Sequence, residues 1–211
     1  MSTLEFFQKR FDLNLNQRKM PIEIPNFGRD QLADVLNELD FRIGVEVGVA
    51  SGEYSAVLAR ANPQMKLFGI DPYVPHNDYK DYTSMRTFET LRNGAIKKLN
   101  SRKNYEFIEK FSMDAVKEFG DETLDFVYID ANHDFVNVTN DIYEWSKKVK
   151  PGGIIAGHDY LFSSNNHTIH VKNVLPAYTA AYKIKPWFVL GREANDEGLI
   201  RDRPRSWMII K

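Results

Sequence analysis

The chain has 211 residues, 43% hydrophobic and 27% charged, which suits one globular domain with a substantial core. Its 28 Lys and Arg nearly balance 29 Asp and Glu, giving a net charge of -1, so no overall field favours nucleic acid or an anionic membrane. The absence of cysteine excludes disulfides, thiolate metal sites and a cysteine nucleophile, and no apolar run reaches the roughly 18 residues of a membrane span or forms a signal-peptide core after Lys9 and Arg10.

Two helical segments open the chain, at Thr3–Phe11 and Arg29–Leu39. In the second, Leu32, Val35, Leu36 and Leu39 share one helix face. Pro21 and Pro25 break the chain between them. From Phe41 the pattern alternates. A strand over Ile43–Gly48 is followed by a helix at Gly52–Ala61, and a strand at Lys66–Ile70 by a helix at Ser84–Leu99. A strand at Tyr105–Glu109 precedes a short helix at Asp114–Phe119. The apolar strand Leu124–Ile129 precedes the helix Val136–Val149, and a strand at Gly153–Ala156 follows. Such alternation predicts right-handed crossovers and a mainly parallel sheet with helices on both faces. Pro186–Leu190 and Trp207–Ile210 are two further strands joined without a crossover, and so antiparallel. The fold expected is an α/β, Rossmann-like, seven-stranded sheet with a C-terminal antiparallel pair. The segment 1–40 packs as a helical extension on a domain formed by 41–211, and the whole is a single domain.

Ligands of such sheets bind beyond the carboxyl ends of the strands, where the strand order reverses. The first strand runs into Glu46-Val-Gly48-Val-Ala-Ser51-Gly52, an E-x-G-x-x-x-G pattern. Dinucleotide-binding loops carry glycine where Glu46 stands, and a carboxylate there repels a pyrophosphate. It suits a ligand with an ammonium or sulfonium group instead. Asp71 ends the next strand, where an acidic side chain accepts hydrogen bonds from ribose hydroxyls, or caps a loop. Phe111-Ser112-Met113-Asp114 follows the third strand. There Asp114 can pair with an exocyclic amine and Met113 can pack on a purine ring, or the same residues cap a helix.

Residues 41–160 resemble the class I S-adenosylmethionine-dependent methyltransferases, in particular the compact branch acting on sugars and other small molecules through oxygen. The resemblance rests on the Glu46–Gly52 loop, Phe68-Gly-Ile-Asp71-Pro72-Tyr73, Asp125-Phe-Val-Tyr-Ile-Asp130-Ala-Asn-His133 and Lys150-Pro-Gly-Gly153-Ile-Ile-Ala-Gly-His158-Asp159-Tyr160, in that order. It implies a cofactor site built from Glu46, Gly48, Ser51, Gly52, Asp71, Pro72, Ser112, Met113, Asp114 and Asp130.

Asp130 ends the fourth strand, and His158 with Asp159 ends the fifth, with His133 close behind Asp130. An alcohol acceptor needs help losing its proton, from a base or from a cation. One reading makes Asp130, His158 and Asp159 ligands of Mg²⁺ or Mn²⁺. Metal-dependent relatives carry an acid–acid or acid–amide pair where this chain has His158-Asp159. The other reading makes His133 or His158 the general base beside Asp130. Asp141 and Trp145 are assigned to the core, and His76, His167 and His170 to polar loops, with His167 near enough to the rim for substrate contact. The segment 72–86 is a candidate lid and 192–205 a candidate border of the cleft. The expected activity is methyl transfer from S-adenosylmethionine to a small hydroxylated molecule in the cytoplasm, without nucleic acid or membrane as partner. Phe6, Phe7 and Phe11 are available for packing against a second copy. The alternatives are a cofactor-binding protein of the same fold without catalysis and, against the Glu46 signal, an NAD-dependent oxidoreductase. No N/D-P-P-Y/F motif of nucleic-acid methylation follows the fourth strand.

Overall fold

The computed structural model describes residues 1–75, 84–162, 169–191 and 204–211. Seven helices are assigned among them: α1 (Thr3–Phe11), α2 (Arg29–Glu38), α3 (Glu53–Ala61), α4 (Met85–Leu99), α5 (Ser112–Ala115), α6 (Phe135–Lys148) and α7 (Val171–Ala181). The strands are β1 (Ile22–Ile24), β2 (Ile43–Val47), β3 (Lys66–Ile70), β4 (Tyr105–Ile108), β5 (Leu124–Ile129), β6 (Val149–Gly157), β7 (Phe188–Leu190) and β8 (Trp207–Ile210).

They form one sheet in the order β1-β7-β8-β6-β5-β2-β3-β4. Only β8 runs antiparallel, to β6 and to β7. The expected parallel sheet with its antiparallel C-terminal element is present, with one strand more. That strand, Ile22-Glu-Ile24, lies between the two prolines and is held as an edge by parallel pairing with β7. Three residues carry too little pattern to announce a strand; the pairing supplies what the local sequence lacks. The second unexpected element is α7. Val171, Val174, Leu175 and Tyr178 give it a buried stripe, but Pro176 stands inside it. Proline removes a backbone donor there, so the segment reads as broken.

Alternation along β5 divides the core. Phe126 and Tyr128 face one side with Leu32, Leu36 and Leu58 of α2 and α3. Val127 and Ile129 face the other with Ile142 and Trp145 of α6 and Leu175 of α7. The aromatic N-terminus is spent inside the molecule: Phe7 is fully buried against Phe27 and Phe188, and Phe11 stacks edge-on against Phe27 at 4.7 Å. Phe7 is thereby withdrawn from the surface, while Phe6 and Phe11 are only partly buried.

β2 lies between β5 and β3: the chain runs outward from β2 through β3 to β4, then returns to β5 on the other side of β2. Val47 is in register with Ile70 on one side and Ile129 on the other, and Ile129 with Gly157. Four strand ends thus open onto one crevice at the switch point.

Candidate active site

The turn after β2 is set by Gly48, whose φ of +92° is closed to most side chains. A Cβ there would stand 2.0 Å from the Asp130 carbonyl oxygen, so loop and β5 approach as closely as backbone allows. Gly48 N donates to Ile70 O at 2.8 Å and Asp130 N to Val47 O at 2.7 Å. Asp71 completes the loop from the side of β3. One carboxylate oxygen accepts from Val49 N at 3.1 Å and Ala50 N at 2.9 Å, and the other from Tyr73 N at 2.9 Å. The Tyr73 hydroxyl donates to Ala50 O at 3.0 Å. Asp71 therefore organises the turn and also lines the cavity.

Glu46 lies behind the cavity wall. It is 2% exposed, accepts a short hydrogen bond from Ser55 of α3 and does not line the cavity. Burial pushes its carboxyl up to about 8, against the Ser55 hydrogen bond, so it supports the loop from beneath as a neutral acid near pH 7. Ser51 and Gly52 also turn away. Ser51 O accepts from Lys98 Nζ at 2.8 Å, and Gly52 caps α3 with a φ of +76°. Ala50 takes their place in the cavity wall.

The cavity itself, about 340 Å³, lies over these strand ends, within the size of small-molecule sites. Gly48, Asp71, Pro72, Ser112, Met113 and Asp130 line it as expected. Asp114 does not: its side chain is 62% exposed and pairs with Lys117 at 2.8 Å. Phe88 and Leu91 of α4, Phe111, and Asn137 and Asp141 of α6 join the wall, none of them a site residue expected from the sequence. Asp141 had been assigned to the core, and it is indeed 3% exposed. Trp145, two spacings of four from Asn137, is fully buried as expected and donates from Nε1 to Ser112 Oγ at 2.9 Å.

At the β5 end of the cavity, through Asp130, lies a cluster of titratable groups. His133 Nε2 is 2.7 Å from Asp159 Oδ2 and 3.5 Å from Asp130 Oδ1. His158 Nδ1 stands 3.6 Å from Asp159 Oδ2 and 3.8 Å from Asp130 Oδ2, and Arg29 Nη1 is 3.6 Å from the latter. Arg29 opens α2, so the N-terminal segment brings a cation to the site, and its guanidinium lies over the Tyr54 ring. Burial lowers the proton affinity of His133, but the two carboxylates outweigh it and push the imidazole up to about 10. Burial of Asp159 acts in the opposite sense to the two histidines, which prevail and hold its carboxyl well below the usual range.

Asp130, His133 and Asp159 offer donor atoms all within 4.8 Å of one another. Two carboxylate oxygens and an imidazole fit a divalent cation of the Mg²⁺ or Mn²⁺ type. The sequence had named His158 as the third donor; the grouping falls on His133, because that ring points between the two acids. His170 is not merely solvated: its Nδ1 accepts from Phe135 N at 3.0 Å and its backbone N–H donates to His133 O at 2.8 Å, bracing the start of α6. His76, His167, the central part of the 72–86 segment and residues 192–203 lie outside the described residues. Among the described residues, no helix is long and apolar enough to cross a membrane.

A family model described as a methyltransferase domain, Methyltransf_24, matches residues 45–160, which carry the loop, the cavity wall and the acid–histidine cluster. No curated protein matches the sequence significantly. Among solved structures, the chain is similar to an O-methyltransferase from Bacillus cereus in complex with SAH: TM-score 0.58, 18% identity, 99% of this chain and 90% of that one covered. It is similar to the O-methyltransferase TomG from Streptomyces achromogenes, in complex with SAM, at TM-score 0.56 and 16% identity, covering 97% and 86%. An rRNA methylase from Streptococcus thermophilus aligns at TM-score 0.57 and 14% identity, covering 86% and 94%. At such identities the likeness is one of fold.

Proposed function

The chain belongs to the class I S-adenosylmethionine-dependent methyltransferases, and on that premise we propose that it methylates a hydroxyl oxygen of a small molecule such as a sugar, with Mg²⁺ or Mn²⁺ assisting. The observation that carries this reading is the cluster Asp130, His133 and Asp159, of which Asp130 also lines the cavity. Methyl transfer from a sulfonium is a direct displacement, so the protein has mainly to align nucleophile, carbon and leaving sulfur. The Gly48 turn and Asp71 hold the cofactor's central part. Asp130, shared between cavity and cluster, joins that site to the acceptor.

A hydroxyl acceptor adds one demand, a place for its proton. Asp159 and Asp130 push His133 up to about 10, so without a cation it is an imidazolium near neutral pH, a donor that can orient the acceptor oxygen and not a base. His158 Nδ1 lies 3.8 Å from Asp130 and 3.6 Å from Asp159, beside both acids. A divalent cation held by Asp130, His133 and Asp159 would supply Lewis-acid polarisation of the acceptor oxygen. An amine acceptor needs neither group to the same degree, which favours oxygen. The net charge of -1 argues for a small acceptor rather than rRNA.

The test is an acceptor screen with methyl-labelled cofactor, sugars and phenols against amines, with EDTA, Mg²⁺ or Mn²⁺. Turnover on hydroxyl acceptors, lost in Asp130→Asn and His133→Gln, is expected. Mn²⁺ titration followed by electron paramagnetic resonance should give a bound signal that Asp159→Asn abolishes. Methylation of amines alone would overturn the oxygen assignment, and full activity in EDTA without retained Mn²⁺ would overturn the metal. Cofactor binding with no turnover on any class would leave a binding protein.

A further inference from the structure

A second cavity, about 780 Å³, opens on the α6–α7 side of the sheet near the amino ends of the parallel strands, away from the cofactor crevice. Gly152 and Ile155 of β6 and Ile209 of β8 form its floor. Helix α6 borders both cavities: Asn137 and Asp141 line the first, and Tyr143 and Ser146 line this one. The walls are apolar and aromatic. Tyr182, at the end of α7, lies 4.6 Å from Tyr178 and 6.1 Å from Tyr143 between ring centroids. Tyr178 is buried, but Tyr143 and Tyr182 are 41% and 56% exposed, so two large rings stand open to solvent at the edge of the hollow. Concave apolar surface of this kind marks binding sites.

The charge around it is one-sided. Three lysines line the cavity and no Asp or Glu does. Lys211 is engaged, with Nζ 3.3 Å from Glu122 and 2.7 Å from the Val149 carbonyl oxygen. Lys183 and Lys185 make no side-chain hydrogen bond or ion pair among the described residues. The turn that closes α7, where Ile184 N donates to Thr179 O at 2.8 Å, packs Ile184 against the core and leaves the lysine on either side exposed. Two ammonium groups so close in the chain repel one another, and one shared anion relieves them. We propose that this cavity is a second ligand site, for a small aromatic anion: a flat ring system bearing one carboxylate or sulfonate. The rings lie against Tyr143 and Tyr182, and the acid group meets Lys183 and Lys185. An inorganic anion would leave the apolar floor uncovered, and a neutral aromatic would leave the ammonium pair unanswered. The same two lysines also border a smaller hollow of about 430 Å³ beside Met20, Pro176 and Trp187, which no tyrosine lines. The tyrosines therefore assign the ligand to the larger one. The site stands whether or not the first cavity holds S-adenosylmethionine.

The experiment is fluorescence titration of the full chain with 8-anilinonaphthalene-1-sulfonate and with N-phenyl-1-naphthylamine, the same rings without the sulfonate. Both dyes emit more strongly in apolar surroundings, so each reports its own affinity. Lys183→Gln combined with Lys185→Gln should weaken the sulfonate by roughly five- to tenfold, as for two partly solvated ion pairs, and leave the neutral dye within about twofold. Tyr182→Ser should weaken both dyes by roughly threefold or more, through loss of the ring contact. All three side chains are exposed, so both variants should melt with the wild type, which their melting curves check. No saturable binding of the sulfonate by wild type, or a lysine variant that affects both dyes alike or neither, overturns the inference; in the last case the lysines only complement the C-terminal end of α7. Loss of the sulfonate in the lysine variant with both dyes indifferent to Tyr182→Ser moves the ligand to the smaller hollow and overturns this site as well.

Discussion

Gly48→Ala is the most demanding substitution the loop geometry defines. Its Cβ would meet the Asp130 carbonyl oxygen at 2.0 Å, the Asp130 carbonyl carbon at 2.5 Å and Ala131 Cα at 2.9 Å. All three are backbone, so no rotamer change relieves the overlap, and the turn must move away from β5. Moving it strains the Gly48 N to Ile70 O and Asp130 N to Val47 O hydrogen bonds. An L-residue at φ +92° adds about 1–2 kcal/mol of conformational strain, and overpacking about 1–3 kcal/mol more. The expected loss is therefore roughly 2–5 kcal/mol, a large share of a typical domain's stability. Gly152→Ala is the matched control. Its φ is +82°, but the nearest atom to its Cβ, Thr3 Oγ1, is 3.9 Å away, so only the strain of about 1–2 kcal/mol remains. Urea denaturation of both variants, with S-adenosylhomocysteine titration of each, separates the two contributions. Gly48→Ala should lose at least tenfold in ligand affinity and Gly152→Ala essentially none. If the two variants match in both stability and affinity, the close approach of loop and β5 does not shape the site.

Other consequences concern the groups around the cavity. Glu46 binds its proton more tightly folded than unfolded, because its carboxyl is pushed up to about 8 from the usual 4.5. The stability it contributes is complete below pH 4.5 and is lost as the pH rises to about 8; by linkage this amounts to about 3–5 kcal/mol. Glu46→Gln should flatten that part of the profile, and since Asp141, which burial pushes up to about 7, titrates in the same window, the wild-type minus variant difference is the quantity to follow; a difference independent of pH refutes the assignment. Trp145→Phe removes the donor to Ser112 and some volume from a fully buried position. It should lower the melting temperature and weaken S-adenosylhomocysteine by roughly 1 kcal/mol, and unchanged affinity would detach the Trp145–Ser112 pair from the site.

The sheet was legible because its strands are bounded by strong local signals. Lys66–Ile70 and Trp207–Ile210 fall where their apolar runs begin and end. Ser84 caps α4 and Gly52 caps α3, as turn and cap residues of their kind do. Where tertiary pairing or packing decides, the sequence was silent: β1 exists through β7, and α7 through burial of its stripe despite Pro176. Candidate site residues divide along a similar line. Positions at strand ends, such as Asp71 and Asp130, sit on the crevice because topology puts every strand end there. Which way a loop side chain points depends on its neighbours, and Glu46 turned to Ser55 while Asp114 turned to Lys117. Asp141 was hidden for the same reason, since a buried acid at helical spacing looks like core until Ser112 is seen beside it. Arg29 is further from the cluster in sequence than any motif reaches.

The most direct test of the cofactor site is calorimetric titration of the wild-type chain with S-adenosylhomocysteine, repeated with NAD and with Asp71→Ala. Micromolar binding of S-adenosylhomocysteine, none of NAD, and a loss of roughly 100-fold when the three loop hydrogen bonds to Asp71 are removed is the predicted result. Absence of S-adenosylhomocysteine binding, or binding of NAD in its place, would contradict it.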